Sequence, residues 1–131
     1  MKGIATVGAS LLVLLMAAGC TLTAVGGGEE LHISAGEEDS RMYFQPDVIT
    51  VSAGDQVTFV IENEGALDHE FESGEKGEAG VAEIIIPPGR TRRVAWTAPS
   101  QPAVYTFYCD LPGHRAAGME LTLRVIPATG P

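Results

Sequence analysis

Cysteine, histidine and tryptophan are scarce in this 131-residue chain, which has two, three and one of them. So few cysteines cannot weave a disulfide framework, and an apolar core must hold the fold instead. Bases are also few, with 8 Lys and Arg against 17 Asp and Glu. A chain this poor in basic side chains lacks what neutralises phosphates, so no nucleic-acid partner is expected, and the acid surplus serves solubility or a basic partner. No segment keeps a helical apolar period. There is no phosphate-cradling glycine loop, no HExxH and no paired nucleophile and base, so no enzyme is expected. The one long apolar run, Ile4 to Ala18, is shorter than the roughly 20 residues that span a bilayer and has no basic flank after it.

That run follows Lys2 and ends in small residues before Cys20, the pattern of an export signal over residues 1–19. Ala17-Ala18-Gly19-Cys20 resembles the lipobox of bacterial lipoproteins, which implies that Cys20 is acylated and becomes the new N-terminus. Ala17 stands where that family usually has Leu, and ordinary cleavage of a secreted protein is the alternative. Residues 20–30 then form a flexible tether with the lipid in the membrane, and residues 31–131 form the folded domain. The exported domain keeps one further cysteine, Cys109. A lone thiol in an oxidising compartment is a liability unless something such as a metal occupies it.

From Leu31 on, short stretches of β-branched and aromatic residues alternate with Gly, Pro, Asn and Asp. Strands are expected at Leu31–Ser34, Met42–Phe44, Val48–Ser52, Gln56–Asn63, His69–Glu72, Val81–Pro87, Thr91–Thr97, Val104–Cys109 and Met119–Ile126. Alternation turns Val57, Phe59 and Ile61 to one face, and Met119, Leu121, Leu123 and Val125 to another common face. It likewise turns Tyr105, Phe107 and Cys109 inward and Thr106 and Tyr108 outward. The expected fold is all-β, a two-sheet antiparallel β-sandwich with Greek-key connections. Arg90, Arg92 and Arg93 read as charges on an edge strand that block pairing with another sheet.

Phe107 to Met119, FYCDLPGHRAAGM, gathers the residue types that are rare elsewhere. Cys109 and His114 are spaced C-x4-H, His114 and Met119 are spaced H-x4-M, and Pro112-Gly113 and Gly118 bend the chain between them. A strand end, a Pro/Gly loop and a return strand let thiolate, imidazole and thioether converge. Soft sulfur with imidazole suits copper, and a His2Cys plane with a weak axial Met is the blue-copper arrangement. The second histidine is expected to be His69, which follows the NEGALD turn and shares a face with Phe71. His32, near the start of the first strand, has no sulfur or loop signal beside it.

NEGALDHEF followed by YTFYC and GHRAAGM resembles the cupredoxin family, and most closely its plastocyanin-like domains, over about Tyr43 to Val125. The resemblance implies a cupredoxin-like sandwich and one copper ion held by His69, Cys109, His114 and Met119. Plastocyanins have two residues between the cysteine and the second histidine; this chain has four, like auracyanin- and rusticyanin-like members. Many members also place Asn or Ser after the first histidine to brace the copper loop, whereas this chain has Glu70 there, expected to point away from His69.

The implied function is a monomeric type 1 copper protein carrying single electrons between membrane-associated redox partners of cytochrome or terminal-oxidase type. His114 would pass electrons through a small apolar patch, and outward-facing Tyr108 would offer a second route. The alternative is a periplasmic copper buffer or delivery protein, with copper-handling partners, serving copper tolerance or oxidase maturation. A metal-free adhesion sandwich is a third reading.

Overall fold

A computed structural model describes residues 28–74 and 79–130. The expected signal peptide, Cys20 and most of the tether lie outside the described residues. The described chain forms β1 (Glu29–Glu38), β2 (Arg41–Gln45), β3 (Val48–Ser52), β4 (Gln56–Asn63), β5 (His69–Ser73), β6 (Ile84–Ile86), β7 (Thr91–Thr97), β8 (Ala103–Tyr108) and β9 (Glu120–Ile126). One sheet has the order β2-β1-β4-β7 and the other β3-β9-β8-β5-β6. Among the described residues every regular element is a strand.

The inward faces read from alternation meet between the sheets. Phe59, Ile61, Phe107, Leu121 and Leu123 are fully buried, and Val57 and Val125 nearly so. Each such side chain contributes about 1.5–3 kcal/mol by leaving water. Four phenylalanines form the centre: Phe71 stacks on Phe107 at 4.8 Å and meets Phe44 edge-on at 5.4 Å, while Phe59 lies 5.5 Å from Phe107. Phe71 lies two residues after His69 on β5 and Phe107 two residues before Cys109, so this cluster continues the same strand faces that carry those two side chains.

Two features depart from expectation. The sandwich is not wholly antiparallel, because β1 pairs with β4 in parallel and β3 pairs with β9 in parallel. Between β1 and β4 the chain crosses to the other sheet through β3 and returns, so β4 arrives beside β1 in the same direction. Period-two alternation reports which face is buried, not which way the neighbour runs. The second departure is the length of β1, which runs from Glu29 to Glu38 rather than from Leu31 to Ser34, taking Glu29 and Glu30 from the expected tether. Ala35-Gly36 looks like a turn signal in sequence. In the structure, a Cβ at Gly36 would lie 2.7 Å from the Tyr43 Oη, so the Tyr43 ring fills the missing side chain's place and the strand continues. The expected strand over Val81–Pro87 is reduced to Ile84–Ile86.

Candidate metal centre

β5 opens on His69, β8 ends one residue before Cys109, and β9 begins one residue after Met119. β5 and β8 pair at Glu72 with Tyr108 and Ser73 with Phe107, which brings the His69 end of β5 beside Cys109. The loop between Cys109 and Met119 closes on itself. Its base is tied by the Cys109 amide donating to the Met119 carbonyl at 3.2 Å and the Met119 amide donating to the His114 carbonyl at 3.1 Å. Within it the His114 amide donates to the Leu111 carbonyl at 3.0 Å and the Ala117 amide to the Gly113 carbonyl at 3.0 Å. Gly113 has φ of 85°, a left-handed conformation that a side chain would resist, and this lets the chain turn back and aim His114 inward. From β2, the Met42 amide donates to the Ala117 carbonyl at 3.0 Å and fastens the loop to the other sheet.

His69 and Cys109 are fully buried and His114 is 8% exposed. One ligating atom from each lies within 4.8 Å of the other two. The His69 Nδ1 is 3.3 Å from the His114 Nδ1, and the Cys109 Sγ is 3.3 Å from the His114 Nδ1. Two nitrogens bound about 2 Å from a shared ion stand on the order of 3.4 Å apart, so the spacing fits a single small metal. The donor chemistry fits copper: two imidazoles and a thiolate, with Met119 fully buried at the next strand's entrance. Burial pushes the Cys109 thiol up, against the pull of the Leu111 and Glu70 amides. The Glu70 amide donates to the sulfur at 3.3 Å. Burial, and then the neighbouring His69, push His114 down, which keeps its imidazole neutral and able to ligate.

Two residues that the sequence reading passed over hold His69 in place. Asn63, fully buried at the end of β4, donates from its Nδ2 to the Leu67 and Ile86 carbonyls at 2.8 and 2.7 Å and accepts from the Gly65 amide at 2.9 Å. It thereby fixes the turn that leads into His69. Glu37, at the far end of β1, has its Oε2 2.8 Å from the His69 Nε2. Its other oxygen accepts from the backbone amides of Ala66 and Leu67. Burial works to raise the Glu37 carboxyl, but the Ala66 amide and then His69 outweigh it and hold the group below its usual range. The signal for Asn63 was its place at an inward strand position; Glu37 gave none, because β1 was expected to stop before it.

Residues 31–126 match the copper binding proteins of the plastocyanin/azurin family. The chain belongs to this family. It is 31% identical to plastocyanin of Prochlorothrix hollandica over 119 residues, covering 87% of each chain. It is also 31% identical to the copper-resistant cuproprotein CopI of Vibrio cholerae over 104 residues, where the match takes in 67% of this chain and only 60% of that protein. Among solved structures, the reduced auracyanin of Roseiflexus castenholzii superposes with a TM-score of 0.60 at 22% identity, over 78% of this chain and all of that one. A copper-containing nitrite reductase of Thermus scotoductus reaches 0.64 at 18% identity, over 79% of this chain but only 32% of the enzyme. The same sandwich thus stands alone in one protein and forms about a third of another.

Against the family pattern, two expectations about outward side chains change. Glu70 does point away from His69, yet it is only 5% exposed. Burial, followed by the charges of Glu83 and Glu72, raises its pKa to about 7, so it does not sit in water as an ordinary surface carboxylate. Tyr108 is only 4% exposed, because the Arg115 guanidinium lies 4.0 Å from its ring centroid and covers it. Its hydroxyl is pushed up to about 12 by burial and by Glu72. Both residues occupy outward strand positions, but Arg115 of the copper loop folds over Tyr108, and Glu70 is buried although alternation puts it on the outer face. His32, by contrast, has a side chain 72% exposed, near Glu30, and stands apart from the donors.

Proposed function

We propose that the chain is a mononuclear copper protein that passes single electrons between larger redox proteins, with His69, Cys109 and His114 as the strong ligands and Met119 as the axial contact. The observation that carries this reading is the convergence of three buried donors on one point. A bound copper ion would supply the one-electron couple. The protein's part is to hold the donors so that little has to move when the charge changes, which keeps electron exchange fast. His69 is sealed off, and His114 alone of the three reaches the surface, on a loop whose Pro112, Gly113 and Ala116 are exposed. Electrons enter and leave there. The route through Tyr108 runs beneath Arg115 and is not an exposed ring.

This reading has no catalytic step. Three donors and a thioether leave no open position for a substrate, and two surface hollows, about 280 Å³ beside Tyr43 and about 420 Å³ beside Trp96, lie elsewhere. The copper-resistant relatives favour a second reading, a copper buffer or delivery protein. One experiment separates the two: load the exported protein with copper, record its visible spectrum and voltammetry, and challenge its Cu(I) with a chelator. Strong colour, reversible voltammetry and slow loss of Cu(I) support the carrier. Slow electron exchange and ready transfer of Cu(I) support the buffer, and absence of stoichiometric copper overturns both. We further propose that the chain is exported as a monomer and anchored by a lipid on Cys20. Cys20→Ala should then shift it from the membrane fraction to the soluble fraction or block processing, and identical fractionation of both forms would refute the anchor.

A further inference from the structure

β1 outruns its partner. Its last parallel pairing with β4 is Ala35 with Asn63, so Glu37 projects past the end of β4 to the turn that delivers His69. There a single carboxylate makes two kinds of contact. The Oε2 faces the His69 Nε2 at 2.8 Å, while the Oε1 accepts from the Ala66 amide and from the Leu67 amide at 3.2 Å. The approach requires Gly65, since a Cβ at that position would lie 2.0 Å from the Glu37 Oε2. Glu37 is 20% exposed and His69 is not exposed at all, so the contact is shielded from most competition by water.

We infer that Glu37 is a positioning residue for the proposed copper site, acting through His69. A carboxylate can only accept, so the Nε2 of His69 must carry a proton, and in the neutral ring the Nδ1 is then the bare lone pair facing Cys109 and His114. The ring is thereby locked in both tautomer and angle before any metal arrives, and the amide contacts tie the same carboxylate to the loop. A charged acceptor behind the ring also makes His69 a stronger donor, which favours the more highly charged Cu(II) over Cu(I). Glu37 therefore both preforms the site and lowers its potential. The second part rests on the function proposed above; the first does not.

The test uses Glu37→Gln and Glu37→Ala in the full chain. Nitrogen NMR of the histidine rings in the metal-free chain should show the Nε2–H form of His69 in wild type and a mixture of tautomers in Glu37→Ala. Copper titration should show Cu(II) binding about 10–100-fold weaker in Glu37→Ala. In Glu37→Gln, which removes the charge and leaves one acceptor oxygen to serve either His69 or the Ala66 and Leu67 amides, Cu(II) affinity should fall about tenfold relative to Cu(I), a rise of about 59 mV in potential. A role confined to loop structure predicts equal losses for both oxidation states and no change in potential. An unaltered His69 tautomer in a folded Glu37→Ala chain, or an unaltered potential in Glu37→Gln, overturns the inference. If Glu37→Ala does not fold, the Glu37→Gln potential decides. Should wild type bind no copper, the proposed function fails, and the tautomer spectra decide the positioning role alone.

Discussion

Replacing Asn63 with Ala should cost more stability than any exposed substitution in the chain, and the amount follows from three hydrogen bonds. The side chain donates to the carbonyls of Leu67 and Ile86 and accepts from the amide of Gly65, at 2.7–2.9 Å. At a net value of about 1 kcal/mol each, loss of the bonds with Leu67 and Gly65 comes to about 2 kcal/mol. Ile86 is fully buried, so its carbonyl has no ready access to water, and losing the Asn63 donor there costs about 1–3 kcal/mol. The expected loss is therefore about 3–5 kcal/mol, a large part of the roughly 5–15 kcal/mol that holds a domain together. The backbone of Asn63 keeps its own bonds, donating to the Arg90 carbonyl and accepting from the Gly89 amide at 2.9 Å each, so strand pairing survives and the effect belongs to the side chain. Guanidinium unfolding of the metal-free protein measures it, with an unchanged dependence on denaturant showing that the same surface unfolds. Asn63→Asp keeps the acceptor, loses both donors and adds a charge, so it should be no milder at neutral pH. A loss below about 1 kcal/mol for Asn63→Ala would refute the claim that this side chain organises the ligand turn.

Other expectations concern the charges around the site. Glu70 has its folded pKa raised from 4.5 to about 7 by burial and then by its acidic neighbours. The folded state therefore holds this proton more tightly than the unfolded state, and the resulting stability is complete below pH 4.5 and is lost as pH rises to about 7. The full swing is at most about 3 kcal/mol. Glu70→Gln should thus gain on wild type between acid and alkaline pH in metal-free unfolding curves, and a constant difference would contradict the burial argument. Removing His32 should leave copper stoichiometry intact, whereas His69→Ala should abolish tight binding; equal copper content in both variants would mean that the wrong histidine was chosen. Arg115→Ala should uncover the Tyr108 ring, read as a larger response of tyrosine absorbance to a solvent perturbant, and an unchanged response would show that the guanidinium does not cover it.

The inward faces of β4 and β9 were legible because alternation is a local property: Val57, Phe59 and Ile61 on β4 and Leu121, Leu123 and Val125 on β9 all lie where it puts them. His69, Cys109 and His114 could be drawn together from sequence because rare residue types cluster at a strand end and a Pro/Gly loop, and the folded chain brings them within 4.8 Å. Strand direction was not legible, since the parallel pairing of β1 with β4 depends on a crossover between sheets. Nor was Glu37. It lies 32 residues from His69 and reaches it because β1 runs on past Gly36, paired with β2 as far as Glu38. The cover over Tyr108 was missed for a related reason. A strand's own pattern cannot say whether a loop, here the one carrying Arg115, will fold over its outer face.

The account rests on Cys109 as a copper thiolate, and the most direct test is a copper titration of the exported protein followed by visible absorption, for wild type and Cys109→Ser side by side. The prediction is one copper per wild-type chain with an intense thiolate-to-copper charge-transfer band, and a folded Cys109→Ser protein without that band. A coloured Cys109→Ser protein, or a wild type that takes up no stoichiometric copper, would contradict it.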